Sequence, residues 1–264
     1  METADRTGSL ARIALLIEYD GSGFNGWQVQ NGGRTVQGEI ERAVKILTGR
    51  ACNLTAAGRT DSGVHALGQV AHLDCYSPVR LDRLCIGLSG ILDRDVAIKN
   101  AYAVPPDFHA RFDAVGREYL FLIYNGRQRS PFMLRRAMWV HHPLDVGYLR
   151  AAAGHLVGEH DFASFCKKIS AGGGTMRRVD SITIDKNDEL IAIRIRGNAF
   201  LHNMIRIIVG TLCDMHRRGD PPVRMLEILK RRDRDEAGVT APPYGLYLKN
   251  VEYDPALVTF ESAY

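Results

Sequence analysis

Arg59, Asp61 and His65 fall within seven residues of one another in the run Ala57-Gly58-Arg59-Thr60-Asp61-Ser62-Gly63-Val64-His65-Ala66. Gly58 and Gly63 forbid a regular helix there. The upstream residues Ala51–Ala56 read as extended, and Gly68–Cys75 reads as a strand, so Asp61 is expected on the loop that joins them. Loops held by a rigid sheet are favoured places for chemistry. The same ten residues also allow a charged turn in which Asp61 caps a local backbone N–H, the ordinary role of Asp beside Gly.

Arg206 is the second residue out of keeping with its surroundings. On a helix expected from His202 to about Arg217 it shares a side with His202, Asn203 and Gly210, one step round from the apolar stripe Ile205, Ile208, Val209, Leu212 and Met215. An arginine there either snorkels to solvent or finds a carboxylate. Paired with Asp61, it would keep that group ionised in a dry cleft, offsetting the upward push of burial on a carboxyl that ordinarily titrates near about 3.9. An ionised carboxylate in such a place suits nucleophilic attack.

Other chemistries lack their signatures. Among the nine histidines, His141 and His142 are adjacent and His155 and His160 lie five apart, neither of which is a zincin spacing. His65, His72, His109 and His202 stand on different elements, so no metal site is expected. No serine sits in a nucleophile elbow and there is no P-loop. Gly21-Ser22-Gly23-Phe24-Asn25-Gly26 spells the glycine pattern of dinucleotide sites, but no helical period begins before Thr35. The glycines are instead expected to make a bend that presents Trp27 and Gln28.

The elements that must position these residues read as follows. Ile13, Leu15, Ile17 and Tyr19 alternate with Arg12, Ala14, Leu16 and Glu18 at the period of a strand. Thr35 caps a helix with Val36, Ile40, Val44 and Leu47 on one face. Leu81, Leu84, Leu88 and Ile91 mark a second helix, and 95–104 reads as extended. The first half is therefore β-α-β-α-β. Pro105-Pro106 opens a crossover, followed by a strand over 117–124 that is apolar on both faces and so expected to be covered on both. A helix from Asp145 to Val157, a hairpin of 177–185 and 190–197 turning at Lys186-Asn187-Asp188-Glu189, the Arg206 helix, a short helix at 225–230 and a strand at 246–253 complete a β-α-β-β-α-β half. Both halves match the split βαβ unit. The expected fold is α/β (α+β): two ferredoxin-like (RRM-like) subdomains, 10–111 and 112–264, with a largely antiparallel sheet and a central basic cleft.

Composition is that of an ordinary globular chain, with 45% apolar and 24% charged residues over 264 positions. No apolar run is long enough to span a bilayer and the first nine residues lack a signal-peptide pattern, so a cytoplasmic location with no membrane association is expected. Cys52, Cys75, Cys85, Cys166 and Cys213 are odd in number and scattered, the pattern of reduced thiols. Seven of the 34 basic residues are lysine, which leaves 34 − 7 = 27 arginines. They cluster at Arg127, Arg129, Arg135 and Arg136; at Arg177 and Arg178 beside Lys167 and Lys168; at Arg217 and Arg218; and at Arg231, Arg232 and Arg234. Gathered on one face they would make a polyanion footprint; scattered, they are a solvated surface. The glycine-rich stretch 167–175 reads as a linker that would either order on an anion or serve as a plain hairpin connection.

The run 57–74 (AGRTDSGVHALGQVAHLD) closely resembles the signature of the tRNA pseudouridine synthase A family, as does 19–30 (YDGSGFNGWQVQ) followed by TVQGE at 35–39. FHARF at 108–112, REY at 117–119, DFASF at 161–165, NMIRIIVGTL at 203–212 and APPYGLYL at 241–248 continue the resemblance in the family's order across nearly the whole chain. Leu73 stands where the family usually has an aromatic. The resemblance implies isomerisation of uridine to pseudouridine at positions 38–40 in the anticodon stem–loop of tRNA, by a homodimer that needs no cofactor and no metal. It implies Asp61 as nucleophile, Arg206 as its ion-pair partner and Tyr119 stacking on the flipped uracil. It further implies Arg59 filling the vacated stack or gripping the backbone, Leu246 as an apolar wall, and RNA contact by His109 and Arg111. Two rivals stand beside it: a non-catalytic protein that holds structured RNA, and a glycosidase-like hydrolase. The latter would need a second carboxylate, for which Asp74 and Asp113 are the candidates.

Overall fold

The computed structural model describes residues 10–76, 80–167 and 174–260. The chain divides into two compact units. Gly116–Tyr247 is one, and the chain on either side of it, including the segment from Leu248 onward, is the other. The C-terminal segment thus groups with the N-terminal half, whereas the sequence reading kept it with the second.

In the first unit, β1 (Leu10–Tyr19) lies between β3 (His65–Tyr76) and β4 (Val96–Ala103), antiparallel to both. The two-residue β2 (Thr55–Ala56) pairs with β3, and β10 (Leu246–Tyr253) follows β3 in the sheet. The order β4-β1-β3-β2 is the one a split βαβ unit requires. Residues 13–17 of β1 are all buried, so both faces of the strand are covered and not only the Ile13 face. The charges that flank this run are paired: Arg12 meets its cross-strand partner Asp74 at 2.8 Å, and Glu18 meets Lys99 at 3.0 Å. α1 (Val36–Thr48) starts where expected, with the Thr35 side chain accepting from the Gly38 N–H. Its buried residues are Val36, Ile40, Ala43 and Val44. Leu47, expected on that face, is 40% exposed and lies at the edge, its side-chain tip against Gly87 of α2 (Leu81–Ile91).

The second unit orders its strands β5 (Ala114–Tyr124), β9 (Leu190–Gly197), β8 (Met176–Asn187) and β7 (Gly158–Asp161). β8 and β9 form the expected hairpin, with Asp188 taking the left-handed conformation at φ +50° that its turn requires. On β5, Phe121 and Ile123 are fully buried, but Leu120, Leu122 and Tyr124 are only half-buried, so the full cover expected on both faces holds on one. α3 (Val146–Gly154) is capped by Asp145 through the N–H groups of Gly147 and Tyr148. β6 (Met138–Trp139), parallel to β5, and β7 escaped the sequence reading because two and four residues are too few to show a period. α4 (Met204–Arg218) buries Met204, Ile207, Gly210 and Thr211 beyond its expected stripe. α5 spans Arg224–Arg231. Of the glycine-rich stretch 167–175, positions 168–173 lie outside the described residues.

Candidate active site

The Asp61 loop leaves β2 alongside β3 and turns back into it. The Ala57 N–H bonds the Val70 carbonyl at 2.8 Å, and the Gln69 side-chain amide donates to the Gly58 carbonyl at 2.8 Å. The turn itself is closed by the Val64 N–H on the Asp61 carbonyl at 3.1 Å, with Gly63 at φ +79°. That is the third position of a turn which only glycine fills without strain.

What holds this turn in place is the bend 20–27. A Cβ on Gly21 would lie 1.9 Å from the Val64 carbonyl oxygen, and one on Gly26 (φ +93°) 2.7 Å from that of Thr60. The two backbones therefore touch where no side chain fits. The Trp27 N–H donates to Thr60 O at 3.0 Å, the Ser62 hydroxyl donates to Phe24 O at 3.1 Å, and a buried bond of 2.7 Å joins the Tyr19 and Thr60 hydroxyls. The carbonyls of Gly26 and Trp27 in turn accept from Val36 and Gln37, so the first turn of α1 finds its partners in the same bend. The glycine pattern is thus a backbone-to-backbone seat for the Asp61 loop. Trp27, expected to be presented outward, is buried against Tyr19 at a ring separation of 6.0 Å; Gln28 is exposed.

Asp61 is half-buried and Arg59 exposed. His65 has gone the other way: it is buried, its Nδ1 accepts from the Gly21 N–H at 3.1 Å and lies 3.1 Å from the Asp20 carboxylate. Of the three residue types that drew attention, the imidazole belongs to the scaffold.

His109 and Arg111 lie at the other end of β3. The Ala110 N–H donates to Nδ1 of His72 at 3.1 Å, while the Asp61 loop closes beside His65. Seven strand residues separate the two points, about 23 Å at the rise of a β-strand. His109 Nδ1 accepts from the N–H groups of Arg111 and Phe112, its own N–H reaches Asp113 at 2.7 Å, and Tyr253 donates to Ala110 O at 2.6 Å. Arg111 is exposed, its guanidinium 5.8 Å from the exposed Phe112 ring. Burial pushes the His72 imidazole down to about 4, helped by the nearby charges of Arg12 and His109, so it is neutral and accepts. Asp74 and Asp113, the candidates for a second catalytic carboxylate, are both engaged in holding structure. The first is clamped by the Arg12 guanidinium, whose hydrogen bond holds its carboxyl below the usual range; the second caps the His109 turn.

In the second unit, Tyr119 is half-buried with its ring edge-on to Phe200 at 5.3 Å. Arg206 is half-buried rather than snorkelling: Nε donates to Ala241 O at 2.8 Å and Nη1 to the Asn203 side chain at 2.7 Å. Ala241 can sit there because Gly210 of α4 lets the 238–241 segment approach; a Cβ on it would lie 1.8 Å from Val239 O. Leu246 is buried at the start of β10. The sequence reading missed Thr60, Phe200 and the Ala241 carbonyl as supports, since each is defined by a contact distant in the chain. Tyr19, at the head of YDGSGFNGW, was within reach.

A profile of the tRNA pseudouridine synthase family matches residues 15–113 and 152–254. The chain is 42% identical over 244 residues to the tRNA pseudouridine synthase A of Caldicellulosiruptor bescii, covering 92% of this chain and 100% of the relative. It is 45% identical over 242 residues to that of Methylococcus capsulatus (92% and 89%) and 41% over 244 residues to that of Acetivibrio thermocellus (92% and 100%). Among the described residues no helix is long and apolar enough to cross a membrane.

Proposed function

The chain belongs to the tRNA pseudouridine synthase family, a family of isomerases, and on that premise we propose that it converts uridine to pseudouridine in the anticodon stem–loop of tRNA, at positions 38–40, with Asp61 as the nucleophile. The observation that carries this reading is the seating of the Asp61 turn: glycine backbone and the hydroxyls of Thr60 and Ser62 fix its path and hold the half-buried Asp61 at a defined place. A nucleophile must be positioned by a rigid support.

The reaction breaks the bond from ribose C1′ to uracil N1, turns the base, and forms a bond from C1′ to C5. The proton on C5 leaves and N1 gains one, so the step is balanced without an oxidant or reductant. The uridine must first leave its stack. Arg59, exposed on the same loop, fills the vacated space or grips the backbone. Tyr119 stacks on the displaced uracil, Arg206 is the ion-pair partner of Asp61, and Leu246 walls the base. His109 and Arg111, about 23 Å along β3, take RNA remote from the reacting nucleotide. The active form in this reading is a homodimer, which sedimentation of the purified chain tests.

Tritium release from tRNA labelled at uracil C5 tests the chemistry, because forming the C1′–C5 bond expels that hydrogen. Wild type is expected to release it, and Asp61→Asn to lose at least about a thousandfold in rate, some 4 kcal/mol of barrier, while still binding tRNA. Equal release by both proteins removes Asp61 from the centre of the reaction. Binding without release by wild type on any tRNA makes the chain an RNA-holding protein.

A further inference from the structure

The four arginine clusters do not fare alike. Arg217 and Arg218 pair with Asp214 and Asp220, Arg178 with Asp180, Arg232 with Asp161, and Arg234 bonds the carbonyls of Ala237 and Gly238. In the segment 125–140 there are four arginines and no carboxylate, and among the described residues no acidic group pairs with Arg127, Arg129 or Arg135. All four arginines are exposed.

Between them stands an apolar tip. Pro131–Met133 form a short 3-10 turn on which Phe132 is 87% exposed, with Leu134 next to it at 72%. The tip is well built. Leu134 and Ala137 donate back to Pro131 and Met133, and the Arg136 carbonyl accepts from the Tyr247 hydroxyl at 2.7 Å. At its base the Trp139 indole donates to Gly126 O at 2.9 Å, and the Asn125 amide bridges the carbonyls of Val140 and His142. Arg135 is held at φ +57°, a conformation that a long side chain adopts only when its surroundings impose it. A rigid turn that holds a phenyl ring in water, rimmed by exposed guanidinium groups, is a surface made to be covered.

We infer that this finger, 127–136, is a second RNA contact, in which Phe132 stacks on an unpaired base and Arg127, Arg129 and Arg135 hold the flanking phosphates. Aromatic stacking combined with basic side chains is how single-stranded nucleotides are gripped without sequence preference. The charge selects RNA over a second copy of the chain. A two-fold contact through this face would set arginines against arginines with no carboxylate from the finger to offset them. The finger leaves the end of β5 at Tyr124, five residues beyond Tyr119, about 17 Å along the strand. It therefore grips a different nucleotide from the one Tyr119 would stack on. The inference rests on the reading of the chain as an RNA-modifying enzyme, but concerns binding and not chemistry.

The test measures anisotropy of a fluorescein-labelled, unmodified tRNA transcript, with a blunt RNA duplex as second probe. Phe132→Ala is expected to weaken tRNA binding about tenfold, to leave duplex binding unchanged, and to be rescued by Phe132→Tyr. The triple variant Arg127→Ala, Arg129→Ala, Arg135→Ala should weaken both probes and flatten the slope of log K against log salt by about two. Tritium release at saturating tRNA should match wild type in every variant, the whole effect falling on KM. Unchanged tRNA affinity in Phe132→Ala overturns the inference. So does a loss of affinity accompanied by a changed sedimentation coefficient, which would make the finger a protein interface. Wild type that binds tRNA through the finger but releases no tritium would refute the proposed reaction and leave this contact standing; wild type that does not bind tRNA refutes both.

Discussion

Two turns at opposite ends of β3 carry the same kinds of side chain and spend them differently. The turn at 108–113 holds His109, Arg111 and Asp113. There the His109 imidazole accepts two N–H groups of its own turn, and the Asp113 carboxylate caps it. The neighbouring His72 and Tyr253 bond the backbone of Ala110. The turn at 58–64 holds Arg59 and Asp61, and its path is fixed by glycines pressed against backbone and by hydroxyls. In the first turn, polar side chains close the backbone. Where glycine builds the turn, backbone and hydroxyl groups fix its path. The residue types alone do not separate the two cases; the identity of what does the holding does.

The sharpest way to break this comparison is to make the same change on both sides. Asp61→Asn should abolish tritium release while the protein still unfolds cooperatively in urea, losing no more than about 2 kcal/mol, since backbone and hydroxyl bonds fix the path of the loop. If urea melts show Asp61→Asn to be strongly destabilising, the carboxylate is structural after all and the contrast fails. Attacking the seat comes next in size. Gly21→Ala puts a methyl 1.9 Å from the Val64 carbonyl, and should cost about 3 kcal/mol or more, read as a lowered urea midpoint. A variant that folds with wild-type stability would mean that the two backbones part easily.

The other end of β3 should respond to acid. His72 has its pKa lowered to about 4 by burial, against about 6.5 in an unfolded chain. Between those values the unfolded chain binds a proton that the folded one refuses, so stability is full above about pH 6.5 and falls as the pH drops towards 4. The loss should be on the order of 2 kcal/mol, and His72→Asn, which keeps an acceptor for the Ala110 N–H but does not titrate, should flatten it. An unaltered slope in that variant assigns the acid sensitivity elsewhere, to Asp74 with its ion pair to Arg12 among others. The smallest effect is expected for Asp113→Asn. It weakens the bond from the His109 N–H by about 1 kcal/mol and leaves kcat for tritium release unchanged.

Much of the fold was legible because it is written at short range. Thr35 and Asp145 cap their helices through N–H groups two and three residues on. β10 spans the residues expected of the last strand. What escaped was set at long range. Leu47 fits the helical stripe but meets Gly87 of another helix, and Trp27 looks like a displayed aromatic until the bend folds it under Tyr19.

For the candidate site the division is the same. The sequence by itself determined that a carboxylate stands on a glycine-bounded loop before a strand, and the ordered motifs around it determined the family, because both are properties of spacing. Only the tertiary structure decided that His65 is scaffold and that Gly21 and Gly26 seat the loop. It alone decided that His109 lies a strand's length from Asp61, and that Arg127, Arg129 and Arg135 stand exposed around an exposed ring. The physical reason is that a side chain's role is fixed by which groups satisfy it, and those groups come from parts of the chain 38 to 44 residues away, beyond the reach of any local pattern.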